Sequence, residues 1–308
     1  MRLRFPDAHL AVITGKVPDE VIRLSGLADE VIAVDRVELR DGRKLASIRK
    51  VLRFVKDTRR RSVDLVIDLH SLSETNVLAF MTRSRHRLLA NRESRSLDLL
   101  SNFAPKPPRE DKSKHLTDRY LDVLIPLGIT KADRFFRLNA HESEVESVKG
   151  KFFADEGKGL VGLFPGAGHP SRCWPLASFA EVAHHVESIG CRPSVFLGPE
   201  ESGLFNDVQS RFPSSTIVVH GLSISEFVAA AQCLKAFVTN DTGPMHLAAC
   251  AGTPIVLLLD ERAPTTYLPL TPDLVVVQDR SIDQIRVADV QAAVNGILSG
   301  SPAGVHDK

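Results

Sequence analysis

Short runs rich in β-branched and aromatic residues alternate with segments of helical periodicity along almost the whole chain of 308 residues. This alternation is the strongest constraint on the fold, because parallel strands need a long crossover connection, which is usually a helix. It predicts an α/β protein with mainly parallel sheets. The ten predicted strands are His9–Thr14, Val31–Val34, Asp64–Leu69, Arg87–Ala90, Leu160–Phe164, Pro193–Leu197, Thr216–Val219, Ala236–Thr239, Pro254–Leu259 and Leu274–Val277.

A break in the pattern divides the chain into two halves. Glycines and charged residues interrupt it at Asp155–Gly159, so we expect domains at residues 1–155 and 156–300, with a disordered tail at 301–308. Each half is expected to be doubly wound, with ligands at the carboxyl ends of its strands and a cleft between the halves. The polar segment Asn91–Asp111 is predicted to be a long loop. The predicted helices are Leu45–Lys56, His115–Leu127, His141–Phe153, Leu176–Ile189, Ser202–Phe212, Ser225–Gln232, Gly243–Ala251 and Ile282–Leu298.

Composition and charge exclude several function classes. The formal net charge is +1, so no whole-molecule field favours nucleic acid. The four cysteines show no paired spacing, and no apolar run is long enough for a membrane span or a signal peptide. We therefore expect a cytoplasmic protein. Basic clusters at Arg59–Arg61 and Arg83–Arg87 are either solvated surface or a contact with anionic membrane lipid or an acidic acceptor.

The stretch from residue 237 to residue 252 predicts a buried strand, a turn and a helix. Pro244 suits the first helical position, because its missing N–H costs nothing there, so Gly243 is the expected N-cap. Gly252 is expected to end the helix. The helix start therefore follows directly on the carboxyl end of a strand.

Polar residues occupy that turn and the first turn of the helix. Asn240, Asp241, Thr242 and His246 lie there, and the free N–H groups of a helix start favour an anion. From the residues alone, each of two side chains has a structural alternative to a role in binding. The alternative for Asp241 is a local turn cap, and the alternative for His246 is a packed core histidine.

A second turn of this kind, Pro165-Gly-Ala-Gly168, follows another predicted strand. Gly166 and Gly168 let the backbone approach a ligand closely, and Arg172 supplies a permanent cation in the same loop. The alternative is a purely structural turn. Trp174 is expected to be a packing anchor at the helix start. Neither the dinucleotide fingerprint nor a Walker lysine is present, so we predict a phosphate site of another type.

These motifs resemble glycosyltransferase family 9, the ADP-heptose–lipopolysaccharide heptosyltransferases. The resemblance rests on Gly-Leu-Phe-Pro-Gly-Ala-Gly from Gly162, Ser-Arg-Cys-Trp-Pro from Ser171, Phe-Leu-Gly-Pro-Glu-Glu from Phe196 and Thr-Asn-Asp-Thr-Gly-Pro-Met-His-Leu-Ala-Ala from Thr239. Their order and spacing match through the whole second half, and the first half shows weaker motifs. The resemblance implies a GT-B fold, in which two Rossmann-like domains face a cleft and the carboxyl-terminal domain binds the nucleotide sugar.

The resemblance also implies roles for residues of the two turns. Asp241, Thr242 and Gly243 would contact the diphosphate and the heptose, and His246 would lie behind them. Arg172 stands where the family usually has lysine, and it would stabilise the leaving diphosphate. In this interpretation Asp241 binds the donor and is not the general base.

An acidic residue that binds the adenosine ribose is implied as well, and spacing does not decide between Glu200 and Glu201. No metal is expected, because no Asp-x-Asp motif accompanies the donor turn, and no other cofactor is implied. The expected partners are a nucleotide-diphosphate sugar, ADP-heptose, and a lipopolysaccharide core or lipid-linked acceptor. Such an acceptor would bring the protein into peripheral contact with the inner face of the inner membrane. The predicted donor-binding set is Pro165, Gly166, Ala167, Gly168, Arg172, Glu200, Glu201, Asn240, Asp241, Thr242, Gly243, Pro244 and His246.

The implied reaction is transfer of a heptose from ADP-heptose to a lipopolysaccharide core acceptor, with inversion. The family's expected base lies in a Gly-Asp turn after its first strand, but this sequence contains no Gly-Asp, and Met1–Asp7 resembles the end of the helix after that turn. Either about twenty or more residues precede Met1 in the real protein, or the chain is a catalytically inactive nucleotide-sugar-binding protein. Asp68 is an alternative base, unless it caps a turn. A sugar epimerase of the same two-domain group is a third interpretation.

Overall fold

The computed structural model describes residues 1–34, 53, 55–93, 97–154 and 157–300 of the chain. Most of the predicted helix Leu45–Lys56 and the whole predicted tail at 301–308 lie outside these residues. Contacts within the chain divide it into two compact units. Unit 1 comprises Met1–Ile22, Leu27–Arg134 and Thr265–Tyr267, and unit 2 comprises Arg23–Gly26, Phe135–Pro264 and Leu268–Lys308.

Unit 1 contains two separate two-stranded parallel sheets among its described residues, β1 with β2 and β3 with β4. Its small core forms around Leu88, Ala90, Val123 and Leu127, and most residues of its first three strands are only partly buried. The strands are β1 (Ala11–Gly15), β2 (Glu30–Val34), β3 (Leu65–Asp68) and β4 (His86–Leu89). Among the helices of this part of the chain are α1 (Lys16–Ser25), α2 (Ser73–Met81) and α3 (Leu116–Asp122), and residues 55–60 are helical as well.

Unit 2 is built on one six-stranded parallel sheet. The strands are β5 (Leu160–Phe164), β6 (Arg192–Leu197), β7 (Ile217–His220), β8 (Leu234–Asn240), β9 (Ile255–Asp260) and β10 (Leu274–Asp279), in the order β10-β9-β8-β5-β6-β7. The helices are α4 (Glu142–Phe152), α5 (Leu176–Ser188), α6 (Phe205–Arg211), α7 (Ile224–Gln232), α8 (Gly243–Ala251) and α9 (Val287–Leu298). Helix α4 contacts α7, where Ser225 Oγ donates to Glu144 Oε2 at 2.6 Å. The boundary between the two units lies after Arg134, so helix α4 belongs to unit 2. The sequence analysis expected this boundary later, near residue 155.

Two central strands of this sheet place the predicted turns next to each other. All five residues of β5 are buried, as are the last five of β8. Strands covered by helices on both faces have such continuous apolar sequences. Phe164, the last residue of β5, is in register with Thr239 of β8. The turns that follow these two strands therefore begin side by side at the carboxyl edge of the sheet.

The ten predicted strands are all present, and the differences lie in the helices. The segment predicted as one helix to Leu127 is α-helical only to Asp122, because Pro126 has no N–H and its ring blocks a continuing helix. The last helix begins at Val287 and not at Ile282, since Ile282 lies in a separate 3₁₀ turn whose side chain enters the core. The apolar pattern does not predict α1 or α2. No helix within the described ranges is long and apolar enough to cross a membrane.

Two glycines provide a paired test of the helix geometry. Gly252 follows α8 with a φ of 85°, in the left-handed region, and a Cβ there would lie 2.7 Å from Arg137 Nη2. Gly150 lies within α4, where a Cβ would meet nothing within 4 Å. We expect Gly252→Ala to lower the free energy of unfolding by about 1 kcal/mol, and Gly150→Ala to raise it by about 0.5 kcal/mol. Urea unfolding measures both changes, and a shift of the same sign in the two variants would contradict this description.

Candidate functional site

The site lies at the carboxyl edge of the sheet in unit 2, where two turns meet. The first, which we name the β5 turn, comprises residues 165–175 and leads into α5. The second, the β8 turn, comprises residues 241 and 242 and leads into α8. Open α/β sheets bind their ligands at this edge, outside the carboxyl ends of the strands. The prediction that each turn follows a strand of the second half is confirmed, and the two strands are neighbours in the sheet.

One buried amide, that of Asn240, joins the two turns. Its Nδ2 donates to the carbonyl oxygens of Pro165 at 2.9 Å and Gly166 at 3.1 Å, and its Oδ1 accepts a hydrogen bond from the backbone N–H of Trp174 at 3.1 Å. The side chain has no solvent exposure. Asn240 therefore fixes both ends of the β5 turn against the end of β8. Because its polar atoms are used within the protein, it positions the site and need not contact a ligand.

The expectation that Trp174 is a packing anchor is also confirmed. This residue, the single tryptophan of the chain, is 1% exposed. Its Nε1 donates to the carbonyl oxygen of Ile285 at 3.1 Å, and its ring packs edge-on against Phe179 with the centroids 5.1 Å apart. Trp174 thus anchors the end of the β5 turn in the core, and the middle of the turn lies at the carboxyl edge of the sheet.

The start of α8 leaves backbone donors without a side-chain cap. Thr242 is the N-cap, with extended backbone angles, and Gly243 is the first helical residue. The prediction of Gly243 as N-cap is wrong by one position, because Gly243 already has helical geometry and Pro244 is tolerated at the second position of the first turn. The side chain of Thr242 makes no capping hydrogen bond, so this helix end retains its capacity to bind an anion. The helix ends at Gly252, as predicted.

Opposite charges lie at the rim of the two turns. Arg172 Nη1 is 3.6 Å from Asp241 Oδ2, and the two side chains are 62% and 32% exposed. Asp241 makes no backbone hydrogen bond in the part of the chain that the structure describes, so the turn-cap alternative is not supported. His246 is exposed on the first turns of α8. The alternative of a packed core histidine is therefore wrong.

The two neighbouring glutamates differ sharply in environment. Glu201 accepts a hydrogen bond from the Gly198 N–H at 3.1 Å, and a side chain at position 166 would overlap its carboxylate. The carboxylate therefore lies directly against Gly166. Partial burial, helped by the negative charge of Glu200, raises the pKa of Glu201 above its usual range. Glu200 is exposed.

Asp260 lies at the same sheet edge and does not emerge from the sequence reasoning. It ends β9, the neighbour of β8, and its carboxylate accepts from Arg262 Nε at 2.9 Å and Nη2 at 2.7 Å. These bonds lower the pKa of Asp260 to about 2. Its position directly after a predicted strand is the signal that would have found it. Because Arg262 neutralises it, this pair adds no net charge to the site.

In unit 1, Asp68 ends β3 and caps the turn that follows. Oδ1 accepts hydrogen bonds from the N–H groups of His70 at 3.0 Å and Ser71 at 2.8 Å, and Oδ2 accepts from Thr75 Oγ1 at 2.6 Å. The side chain is 9% exposed. Both carboxylate oxygens are thus engaged, which supports the turn-cap alternative over a role as base.

Removal of the Asn240 amide is expected to loosen the whole site. Asn240→Ala would leave one buried N–H and two carbonyl groups without their partner, at a cost of about 2 to 4 kcal/mol. Asn295, whose exposed side chain forms a hydrogen bond with His185, offers a matched control, and Asn295→Ala should change stability by less than about 0.5 kcal/mol. Urea unfolding followed by Trp174 fluorescence measures both. Equal stability of the two variants would show that Asn240 does not hold the turns.

Comparisons with known proteins agree with this geometry. A family model described as glycosyltransferase family 9 (heptosyltransferase) matches residues 51–290. A lipopolysaccharide heptosyltransferase 3 of Escherichia coli is 20% identical over 99% of this chain and 94% of its own. A crystal structure of a family 9 glycosyltransferase from Veillonella parvula superposes with a TM-score of 0.83 at 22% identity, covering 97% of this chain and 91% of that one. The E. coli ADP-heptose lipopolysaccharide heptosyltransferase II gives 0.81 at 18% identity, covering 97% and 92%.

The structural similarities, all below 25% identity, show the fold, and it is the α/β fold of GT-B type that the sequence motifs imply. The family model spans most of the chain, including both turns and Asp68. The chain therefore belongs to glycosyltransferase family 9, the heptosyltransferase family, and it is a glycosyltransferase.

Proposed function

We propose that this glycosyltransferase transfers a heptose from ADP-heptose to a lipopolysaccharide core acceptor, with inversion at the anomeric carbon. The observation that carries the proposal is the pair of turns that Asn240 joins, with Arg172 and Asp241 3.6 Å apart at their rim. The relatives that share the fold and family are named for heptose transfer to lipopolysaccharide, which supports both the donor and the acceptor class.

The diphosphate of the donor is proposed to bind at the start of α8. The uncapped N–H groups there and the positive end of the helix dipole favour two adjacent phosphates. From the other side, Gly166 and Gly168 allow the backbone of the β5 turn to approach closely. Pro165 and Ala167 complete the wall that this turn forms. Arg172 adds the permanent positive charge that a doubly charged ligand requires.

The sugar end of the donor is proposed to lie beside the β8 turn. Asp241 is partly exposed and lies 3.6 Å from Arg172, so it can accept hydrogen bonds from sugar hydroxyls. Thr242, Gly243 and Pro244 form the start of α8 beneath it, with His246 exposed on the first turns of that helix. A carboxylate that binds hydroxyls in this way is a donor-binding group and not the general base.

Glu201 is proposed as the ribose-binding acid, in preference to Glu200. Its carboxylate lies against Gly166 and is therefore part of the β5 turn's surroundings, whereas Glu200 is exposed. A partly buried carboxylate accepts hydrogen bonds from ribose hydroxyls more strongly than a fully hydrated one. The proposal therefore favours Glu201, where spacing leaves both glutamates open.

The proposed chemistry is a displacement at the anomeric carbon. Negative charge develops on the departing diphosphate, and fixed N–H groups with Arg172 would stabilise it more in the transition state than in the ground state. The acceptor hydroxyl must also lose its proton to a base, and no described residue is assigned to that role. Because the acceptor is linked to lipid A, peripheral contact with a membrane is part of the proposal.

The direct test is turnover of ADP-heptose with a Kdo–lipid A acceptor. We expect release of ADP that depends on the acceptor, together with a product heavier by one heptose in mass spectrometry. ADP binding, followed through the fluorescence of Trp174, is measured on the same sample. Binding without transfer would overturn the transfer step and favour a nucleotide-sugar-binding protein. Release of a free, altered sugar without acceptor would point to an epimerase.

Arg172→Gln is expected to reduce kcat about 10- to 100-fold, because the leaving diphosphate loses its cation. Arg211→Gln is the matched control, since Arg211 lies on α6 and pairs only loosely with Asp207 at 3.7 Å on the surface; its kcat should remain within about twofold of the original. Steady-state ADP release measures both. An unchanged kcat in Arg172→Gln would remove this residue from the proposed reaction.

Substitution of the two glutamates separates binding from stability. Glu201→Gln should weaken ADP binding about tenfold, since hydrogen bonds to a charged acceptor are lost, and Glu200→Gln should have a smaller effect. Because the pKa of Glu201 is raised in the folded protein, the contribution of this group to stability is fully present below its pKa in the unfolded state. That contribution is lost as the pH rises through its pKa in the folded state. The Tm of Glu201→Gln should therefore increase relative to that of the original protein as the pH rises. The reverse ranking in ADP titrations would transfer the ribose contact to Glu200.

A further inference from the structure

We propose that one surface of unit 1 docks on an anionic lipid bilayer. This surface, the α2 face, comprises Val77 and Phe80 on α2 with Arg83, Arg85 and Arg87 directly after it. The inference rests on the proposed function in so far as a lipid-linked acceptor requires a membrane nearby. It goes further by naming the surface, its apolar and basic groups, and the lipid charge that it recognises.

The α2 face exposes large apolar side chains that a soluble surface helix normally buries. Val77 is 40% exposed and Phe80 is 51% exposed. They are three residues apart, so they lie on the same side of the helix. Asn76 and Ala79, on the neighbouring side of α2, are buried. The helix therefore packs on unit 1 through these small and polar residues and exposes Val77 and Phe80.

Arginines surround this apolar surface. The guanidinium of Arg87 lies 5.4 Å from the centre of the Phe80 ring, so charge and apolar surface are adjacent. Arg83, in the left-handed conformation at a φ of 58°, and Arg85 are exposed and form no ion pair with a carboxylate among the described residues. Three positive charges thus follow an apolar helix face within seven residues of Phe80.

A second basic segment lies against the end of α2. Arg59 Nε donates to the carbonyl oxygen of Met81 at 2.7 Å. A groove beside it is lined by Val55, Lys56, Arg59, Arg60 and Met81, of which Val55 is buried and the three basic residues are exposed. Arg59 of the first basic cluster therefore lies at the end of α2, where the second cluster begins, whereas Arg61 pairs with Glu30. Either cluster alone would be an ordinary solvated segment.

An anionic bilayer matches this combination better than a purely ionic partner. Side chains such as Phe enter the boundary between headgroups and acyl chains, while arginines bind the phosphate groups above it. Leu69, 38% exposed, lies on the chain before α2, so apolar groups continue toward the end of β3. A helix of nine residues is about 13 Å long. Docking along α2 would therefore bring the carboxyl end of β3 close to the headgroup layer.

The test is flotation of the full chain with lipid vesicles. We expect binding to vesicles of phosphatidylcholine mixed with phosphatidylglycerol, little binding to phosphatidylcholine alone, and release at about 1 M salt, where the screening length falls to about 3 Å. Arg83→Asn with Arg85→Gln should weaken binding roughly 25-fold, at about fivefold for each arginine. Phe80→Ser should weaken it about tenfold. Asn at position 83 tolerates the left-handed backbone.

The control variant combines Ile189→Ser with Arg211→Gln, which removes one exposed apolar and one exposed basic group from unit 2. It should bind the mixed vesicles like the original protein. Binding that ignores lipid charge, or that survives the arginine substitutions, would overturn the proposal. If Phe80→Ser binds as tightly as the original, the surface is a plain polyanion site such as one for an acidic polysaccharide, and the bilayer proposal fails.

Two further measurements keep this inference separate from the proposed reaction. ADP binding, followed through Trp174, should be unchanged in the α2-face variants, which shows that unit 2 is intact. Turnover with a detergent-dispersed acceptor should be unchanged as well, while turnover with acceptor in mixed vesicles should fall. Vesicle binding without any ADP binding would overturn the proposed function and leave the docking surface supported. ADP-heptose turnover without vesicle binding would do the opposite.

Discussion

The side-chain amide of Asn240 is the contact on which the candidate site depends. It bonds to backbone groups 66 to 75 residues away in the chain, at Trp174, Gly166 and Pro165. A buried amide whose donors and acceptor are satisfied tolerates little displacement, because any shift leaves a polar group unpaired in an apolar environment. The spacing between the β5 turn and the β8 turn is therefore set by geometry inside the protein. A ligand that binds there meets donors whose positions are already established.

The sequence predicts the secondary structure of unit 2 better than that of unit 1, and the difference in burial explains why. Strands such as β5 are buried on every residue, so their apolar runs are continuous and easy to recognise. Helix α2 escapes prediction because its exposed Val77 and Phe80 do not form the inward stripe that periodicity arguments require. The same exposure makes α2 informative about partners. Where a surface helix departs from the usual pattern of inward-facing apolar residues, the exposed apolar side is expected to have a function.

The sequence identifies the site residues only as far as the ends of the predicted strands locate them. Residues that follow β5 and β8 must share one edge of a parallel sheet, so Arg172 and Asp241 could be grouped without coordinates. Roles within the group could not be separated in this way. From the sequence, Asn240 is predicted to bind the ligand, whereas its hydrogen bonds in the structure are all made within the protein. Glu200 and Glu201 differ because the backbone after β6 directs the Glu201 carboxylate toward Gly166. Such distinctions depend on side-chain direction, which spacing does not encode.

The pair formed by Arg172 and Asp241 shows how the site can be charged and still open to a ligand. At 3.6 Å and with both side chains partly exposed, it contributes little stability, and separating the two groups costs correspondingly little. Arginine keeps its charge at every pH and presents several donors in one plane. In the proposed reaction it can therefore turn from the carboxylate to a phosphate, or bridge both, without a buried charge being left alone. A tight, buried pair would hold its geometry better, but it would resist the ligand that the two turns are arranged to bind.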